Sequence, residues 1–185
     1  RKQGPFLSNN GICVDLHQHH FLANNNPILS SWQYSFKTAA ASNQVIYQIG
    51  NSPTAFAGKS KMIAELKVLR AYAYFTALDM FGNIPISLDF RDTTLPKQYS
   101  RADAFNVIEK ELKDNIDLID AEPTPANYGR CTRGLGFTVL AKMYLNAEAW
   151  LGTPRWQEAI DMCDSVIRSG YYQLEGNYFT NFLIA

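Results

Sequence analysis

The stretch KSKMIAELKVLRAYAYFTALDMFG, residues 59–82, decides the reading of this chain. Met62, Leu66, Leu69, Ala73, Ala77 and Met80 recur at intervals of three and four, the period of one helix face. Tyr72, Tyr74, Phe75, Leu78 and Phe81 occupy much of the remaining surface. A helix apolar nearly all round is a buried one, so Lys59–Phe81 is expected to be the central element. Gly82 is placed as its C′ residue, where a left-handed conformation costs glycine nothing. Arg70 lies inside this apolar surface, and a buried guanidinium must be paired, with Glu65, Asp79 or another acid.

Working outward, further helical patterns flank the central one. Upstream, Trp32, Phe36, Ala39, Asn43 and Ile46 form one face, with Ser30 or Ser31 as the expected cap. Gly50, Asn51 and Pro53 end that helix. Downstream, Asn83-Ile84-Pro85-Ile86 reads as extended, because the residue before proline is pushed out of the helical region. The connection runs on to about Tyr99, a length that points to function or a specific packing role. Ser100 with Asp103 opens the next helix, whose stripe is Phe105, Ile108, Leu112, Ile116 and Ile119. After a Pro-rich loop over 121–131, Thr132 is the expected cap of a helix that turns Phe137, Leu140, Ala141, Tyr144 and Leu145 inward. Gly152 and Pro154 break it, and a last helix near Trp156 carries Ala159, Ile160, Cys163 and Ile167 on one face. Residues 1–30 read as loop-rich, 31–170 as helical pairs and 171–185 as an irregular, aromatic-rich end. The fold class is all-α.

Composition bounds the function. The chain has 185 residues, 46 % apolar and 18 % charged, and its 17 basic residues balance its 17 acidic ones. That excludes a disordered chain. The absence of a basic excess argues against nucleic acid as a partner. Charged residues break every apolar run short of a membrane span. Three cysteines, Cys13, Cys131 and Cys163, are too few for a disulfide framework and leave one bridge open without saying which. The chain begins Arg-Lys-Gln with no apolar h-region, so any export signal is expected to have been removed or to lie outside it. Cys13 follows Asn10-Gly11-Ile12, which lacks the small residues and apolar run that precede a lipidated cysteine.

The last two helices read as a helix–turn–helix with Ala141-x2-Tyr144 and Trp156-x2-Ala159-Ile160, similar to a tetratricopeptide unit. Val68-Leu69 and Val139-Leu140 stand about two such periods apart. More specifically, Ala64 to Phe75, followed by Met80-Phe81-Gly82-Asn83-Ile84-Pro85-Ile86, resembles the SusD/RagB family of outer-membrane nutrient-binding lipoproteins. Tyr128-Gly129-Arg130-Cys131-Thr132-Arg133-Gly134 through Glu148, and Trp156 to Leu174, extend the resemblance in order. Leu16 to His20, with Trp32 and Asn43, fits it upstream.

The resemblance implies an all-helical, SusD-like α-α superhelix built on tetratricopeptide-like pairs with long irregular loops. It implies a lipid-anchored position on the extracellular face of the outer membrane of Bacteroidota. The implied partner is a SusC/RagA-like TonB-dependent transporter, on which the protein acts as a lid that captures oligosaccharide or peptide. It implies no enzyme activity and no cofactor. Family members are considerably longer, so the chain matches the N-terminal part of a single SusD-like domain, and the family's lipidated cysteine is absent from it. The alternative is a tetratricopeptide-type scaffold that binds protein partners and no nutrient.

Candidate site residues follow. In an extended segment His17 and His19 point to one side and His20 to the other, a poor geometry for a metal, so no metal site is assigned. The family resemblance instead puts His17 and His19 in a loop at the mouth of a ligand site. Asn24 and Asn25 can bond sugar hydroxyls, although Asn-rich loops are commonly turns. Trp32 can stack on a sugar ring, although its place in a helical stripe favours core packing. Aromatics gathered in loops would favour nutrient capture, and aromatics on a concave helical face would favour a scaffold. No catalytic Ser–His–Asp order, paired-carboxylate loop or phosphate-binding Gly-rich motif stands out. Asp114, Asp117 and Asp120 read as a solvated face.

Overall fold

A computed structural model describes residues 12–182, without the side chains of residues 12, 13 and 181. Seven helices follow in order: α1 (Ile12–His17), α2 (Asn26–Asn51), α3 (Lys59–Phe81), α4 (Arg101–Asn115), α5 (Arg133–Leu145), α6 (Ala147–Leu151) and α7 (Trp156–Arg168). The only strands among the described residues are the two-residue β1 (Ile84–Pro85) and β2 (Gln98–Tyr99). They pair antiparallel, Ile84 with Tyr99 and Pro85 with Gln98, and close the base of the long connection. The molecule is an all-α stack in which α2 lies along α3, α3 along α4, and α5 along α7.

α3 is the central element that its composition predicts. It buries Ala64, Val68, Ala71, Tyr74, Phe75, Ala77 and Leu78. Its buried stripe is not the one read from spacing, because Met62 and Met80 are exposed. In a helix apolar on every side, several stripes satisfy the period equally, and the neighbours choose among them. Gly82 follows with φ +76° and ψ −100°, a positive φ but not a left-handed helical cap. The Arg101 guanidinium fills the space where a Cβ would stand, with Nη2 2.8 Å from that position. Glycine is required there both by φ and by that close approach.

α4 forms as read. The Ser100 hydroxyl accepts from the Asp103 amide at 3.1 Å, and Phe105, Ile108, Leu112, Ile116 and Ile119 are all buried. Burying side chains of this size contributes about 1.5–3 kcal/mol each. The rings of Phe105, Phe75 and Trp150 meet at centroid distances of 6.4 Å, which seats the short α6 against α3 and α4.

Three local expectations give way. α2 begins at Asn26, not at Ser30 or Ser31, because Pro27 falls in the first turn, where its missing N–H costs nothing. Ser30 and Ser31 lie inside the helix, and the Ser31 hydroxyl donates to the Pro27 carbonyl at 2.8 Å. The segment before α2 also contains α1, so residues 12–17 are helical where loop was expected. Residues 1–11 of the stretch read as loop-rich, and the Cys13 side chain, lie outside the described residues.

The third concerns α5 and α7. Leu145 points outward rather than inward, and of the α7 stripe only Ala159 is buried. Trp156, Ile160 and Ile167 are exposed and, with Leu145, wall an open apolar groove of about 580 Å³. Helix pairs of repeat proteins bury such faces by stacking on the next pair. No helix of the described residues is long and apolar enough to cross a membrane.

Candidate functional site

The Arg70 guanidinium, buried in α3, organises the best-defined polar region of the molecule. It pairs with Glu111 of α4 through both Nε and Nη2. The side chains of Arg70 and Glu111 are 5 % and 9 % exposed, so this is a buried ion pair. Its Nη1 donates to Asn43 Oδ1 of α2 and, at 3.0 Å, to the Leu88 carbonyl. Asn43 Nδ2 donates to the Ser87 carbonyl at 2.8 Å. The Tyr74 hydroxyl donates to that carbonyl at 2.7 Å and accepts from the Ser87 amide at 3.1 Å. Burial pushes the Tyr74 hydroxyl above its ordinary range, although the bond to Ser87 opposes this.

Three buried side chains from two helices thus clamp the backbone of residues 87 and 88. Asn43, read as one residue of an apolar stripe, is a polar clamp. The partner of Arg70 is another acid, Glu111, and not Glu65 or Asp79. The clamp fixes the start of the 86–97 connection over α2 and leaves a cavity of about 550 Å³ between them. Phe36 and Phe90 supply apolar wall, and Asn43, Gln44, Asp89 and Asp92 supply polar groups. The Phe90 ring also meets Tyr47 at 5.6 Å, and Asp89 is held below the usual carboxylate range by its bonds from Arg91.

The five candidate residues sit elsewhere, four on the approach to α2 and Trp32 within its first turns. His17 ends α1, and the chain then turns, with the His20 amide donating to the Asp15 carbonyl at 2.9 Å and His19 at φ +57°. The segment is therefore a helix end and turn, not the extended run that would set His17 and His19 on one side. Both are exposed, as is Asn24. Asn25 is the N-cap residue of α2, and its Oδ1 accepts from the Leu22 amide. Trp32 is half-buried and packs on Phe36 and Phe81 at centroid distances of 4.3 and 5.1 Å. None of the five lines the cavity over α2. Among the described residues, no group of three or more His, Cys, Asp or Glu side chains is arranged to hold a metal ion. Cys131 and Cys163 are free thiols, and burial pushes Cys131 up to about 11.

A family described as starch-binding and associating with the outer membrane, SusD-like, matches residues 3–145. This chain belongs to the SusD-like family. It is 32 % identical over 120 residues to the starch-binding protein SusD of Bacteroides thetaiotaomicron, covering 65 % of this chain and 21 % of that protein. A structure solved with xylogluco-oligosaccharide matches with a TM-score of 0.79 at 25 % identity, over 92 % of this chain and 35 % of the other. Surface glycan-binding protein A from Bacteroides thetaiotaomicron, in complex with laminarihexaose, matches with a TM-score of 0.69 at 20 % identity, over 83 % and 32 %. The SusD-like chain spans about a fifth of the length of the curated relatives it matches. The helical frame is what this chain shares with those structures.

Proposed function

We propose that this SusD-like chain is the N-terminal part of a cell-surface subunit that captures oligosaccharide, without turnover, for uptake across the outer membrane. The partner is a SusC-like TonB-dependent transporter, on which the lipid-anchored subunit acts as a lid. The observation that carries the reading is where the exposed aromatic rings stand. Most of the exposed aromatic rings, among them Phe21, Phe56, Phe90, Tyr128, Tyr171 and Tyr172, stand on connecting segments, whereas Tyr34, Tyr72 and Trp156 stand on α-helices. Sugar rings have apolar C–H faces that suit aromatic side chains, and rigid segments present such rings at low entropic cost. His17, His19, Asn24 and Asn25 then serve as hydrogen-bonding groups on the approach to α2, with half-buried Trp32 as a stacking group within it.

Affinity capture from detergent-solubilised native membranes tests the assembly. A bait heavier than 20.9 kDa with a large β-barrel transporter attached is the expected result. A bait of that mass with only soluble partners would replace the lid with a helical scaffold. Calorimetric titration with starch-, laminarin- and xyloglucan-derived oligosaccharides tests the ligand class directly.

A further inference from the structure

We infer that the loop between α4 and α5 forms a carbohydrate-ring cradle of its own, with Tyr128 and Tyr172 as its aromatic groups. The inference rests on the glycan-capture reading above and deepens it by naming a place of contact.

The loop is held far more firmly than its Pro-rich sequence requires. Thr124 and Asn127 bond reciprocally across a short 3₁₀ turn, with the Thr124 amide donating to Asn127 Oδ1 at 2.6 Å. Asn127 is buried, and its Nδ2 donates to the Glu122 carbonyl at 2.8 Å. Arg130 donates through Nε and Nη2 to Glu65 Oε2 on α3, at 3.0 and 2.6 Å. Lys61, also on α3, pairs with Asp120 at 2.5 Å. Gly129, at φ +80°, lets the chain reverse between these anchors.

Within this rigid loop Tyr128 is 93 % exposed. Its backbone neighbours are pinned on both sides while its ring packs against nothing that would bury it. A tyrosine gives large amphipathic contact area with only two side-chain torsions to order.

Across the cleft, Tyr172 is fixed as well. Its ring lies so close to Gly134 that an added Cβ would stand 2.6 Å from Cε2 and Cζ. Its hydroxyl and that of Thr132 are 2.9 Å apart, a hydrogen bond. The cleft between the loop and Tyr172 measures about 650 Å³, within the range of small-molecule sites. Thr124, Asn127, Arg130 and Thr132 add hydroxyl, amide and guanidinium groups to its lining.

The chemistry selects the ligand class. The one cation lining the cleft, Arg130, is already paired with Glu65, so the cleft offers no free charge for a phosphate. It offers two aromatic groups and several neutral or neutralised hydrogen-bonding groups. A neutral pyranose, with apolar faces and a polar rim, matches that set. The groove beside α7 is walled almost wholly by apolar surface, with Thr138, Lys142 and Asp164 among its lining residues, and matches it less well.

The test titrates the full chain with maltohexaose, laminarihexaose and a xyloglucan oligosaccharide by calorimetry. Tyr128→Ala and Tyr172→Ala are compared with wild type, and Tyr34→Ala, an exposed tyrosine of α2, serves as control. Tyr128→Ala removes only a solvent-exposed ring and leaves the far-UV spectrum and melting point unchanged, so it reports on binding even if Tyr172→Ala unfolds. The expected result is one sugar of the three bound by wild type, about tenfold weaker binding by Tyr128→Ala, and wild-type binding by Tyr34→Ala. The bound sugar also shifts the Tyr128 ring resonances in NMR spectra. Wild-type affinity in Tyr128→Ala overturns the cradle and leaves glycan capture standing. Absence of binding by wild type to all three overturns glycan capture by this chain, and the cradle with it.

Discussion

Acidification through the titration of Glu109 removes a definite part of the stability of this fold. Glu109 stands on α4 with its side chain 13 % exposed. It accepts from Arg155 at 2.9 Å, from Lys113 at 2.6 Å and from the Tyr144 hydroxyl at 2.7 Å. Arg155 is the N-cap residue of α7 and lies 4.3 Å over the Tyr144 ring of α5, so one carboxylate ties α4, α5 and α7 together. Burial pushes its carboxyl upward, but the bonds from Arg155, Lys113 and Tyr144 outweigh burial and hold it down to about 2, against an ordinary 4.5.

A carboxylate whose folded pKa is depressed contributes stability that is present above its unfolded value. That stability is lost as pH falls toward its folded value. The window is therefore about pH 4.5 to 2. The gap is worth roughly 3 kcal/mol. Lys113 is half exposed, and solvent screening leaves roughly 2 kcal/mol. Urea unfolding followed by circular dichroism at pH 6, 4, 3 and 2.5 measures it, with Glu109→Gln as the reference that cannot ionise. At pH 6 the variant should be about 2 kcal/mol less stable than wild type, and by pH 2.5 the gap should shrink to roughly a quarter of that. Carboxylates outside this cluster titrate alike in both proteins and cancel, and Glu158, which shares Arg155, is the one that does not. A gap that stays constant with pH, or no gap at pH 6, would refute the hub.

Three further outcomes are expected. Arg70→Met leaves Glu111 charged and buried and strips Asn43 Oδ1 and the Leu88 carbonyl of a donor. The cost is about 3–5 kcal/mol in urea unfolding, and a loss under 1 kcal/mol would show the clamp to be dispensable. Gly136→Ala would ordinarily gain helix propensity. Here its Cβ would stand 2.6 Å from Ile116 Cγ1 inside the core, so a destabilisation of about 1–3 kcal/mol is expected, and a gain in melting temperature would contradict that packing. In a Cys13→Ser background at pH 8, a thiol reagent should label exposed Cys163 about a hundredfold faster than Cys131. Burial and the nearby Glu65 hold Cys131 in its unreactive thiol form, and equal rates would be inconsistent with that environment.

Much of this frame is legible without coordinates because it is local. The limits of Lys59–Phe81, the Ser100 cap and the Phe105-to-Ile119 stripe rest on spacing within a few turns of chain. The Ser30 or Ser31 cap failed because Pro27, a residue that breaks a helix interior, suits a first turn and lets α2 start earlier. Leu145 and Ile160 misled differently: periodicity tells which residues share a face, not whether anything covers it. The polar clamps were invisible for a third reason. Arg70 finds Glu111 across 41 residues and Arg130 finds Glu65 across 65, and an amphipathic pattern carries no record of such pairings. The histidine segment failed on conformation, since its two-residue alternation holds only for extended chain and α1 with its turn is not extended.

The two clamps also explain how one helical frame can carry different binding loops. Around the 86–97 connection, Arg70, Asn43 and Tyr74 grip the carbonyls of Ser87 and Leu88 and the amide of Ser87, never a loop side chain. Around the 121–131 loop the Arg133 amide donates to the Asp120 carbonyl at 2.8 Å in the same way, whereas the bonds to α3, Arg130 to Glu65 and Lys61 to Asp120, run through side chains. Backbone groups are the same whatever residue bears them, so anchors of this kind place a loop without specifying its exposed surface. Phe90 and Tyr128 stand on that unspecified surface. The helices and clamps therefore supply position, and the side chains free of both roles supply recognition. Substitutions at Phe90 or Tyr128 should alter binding with little effect on stability, whereas those at Asn43 or Arg70 should do the reverse.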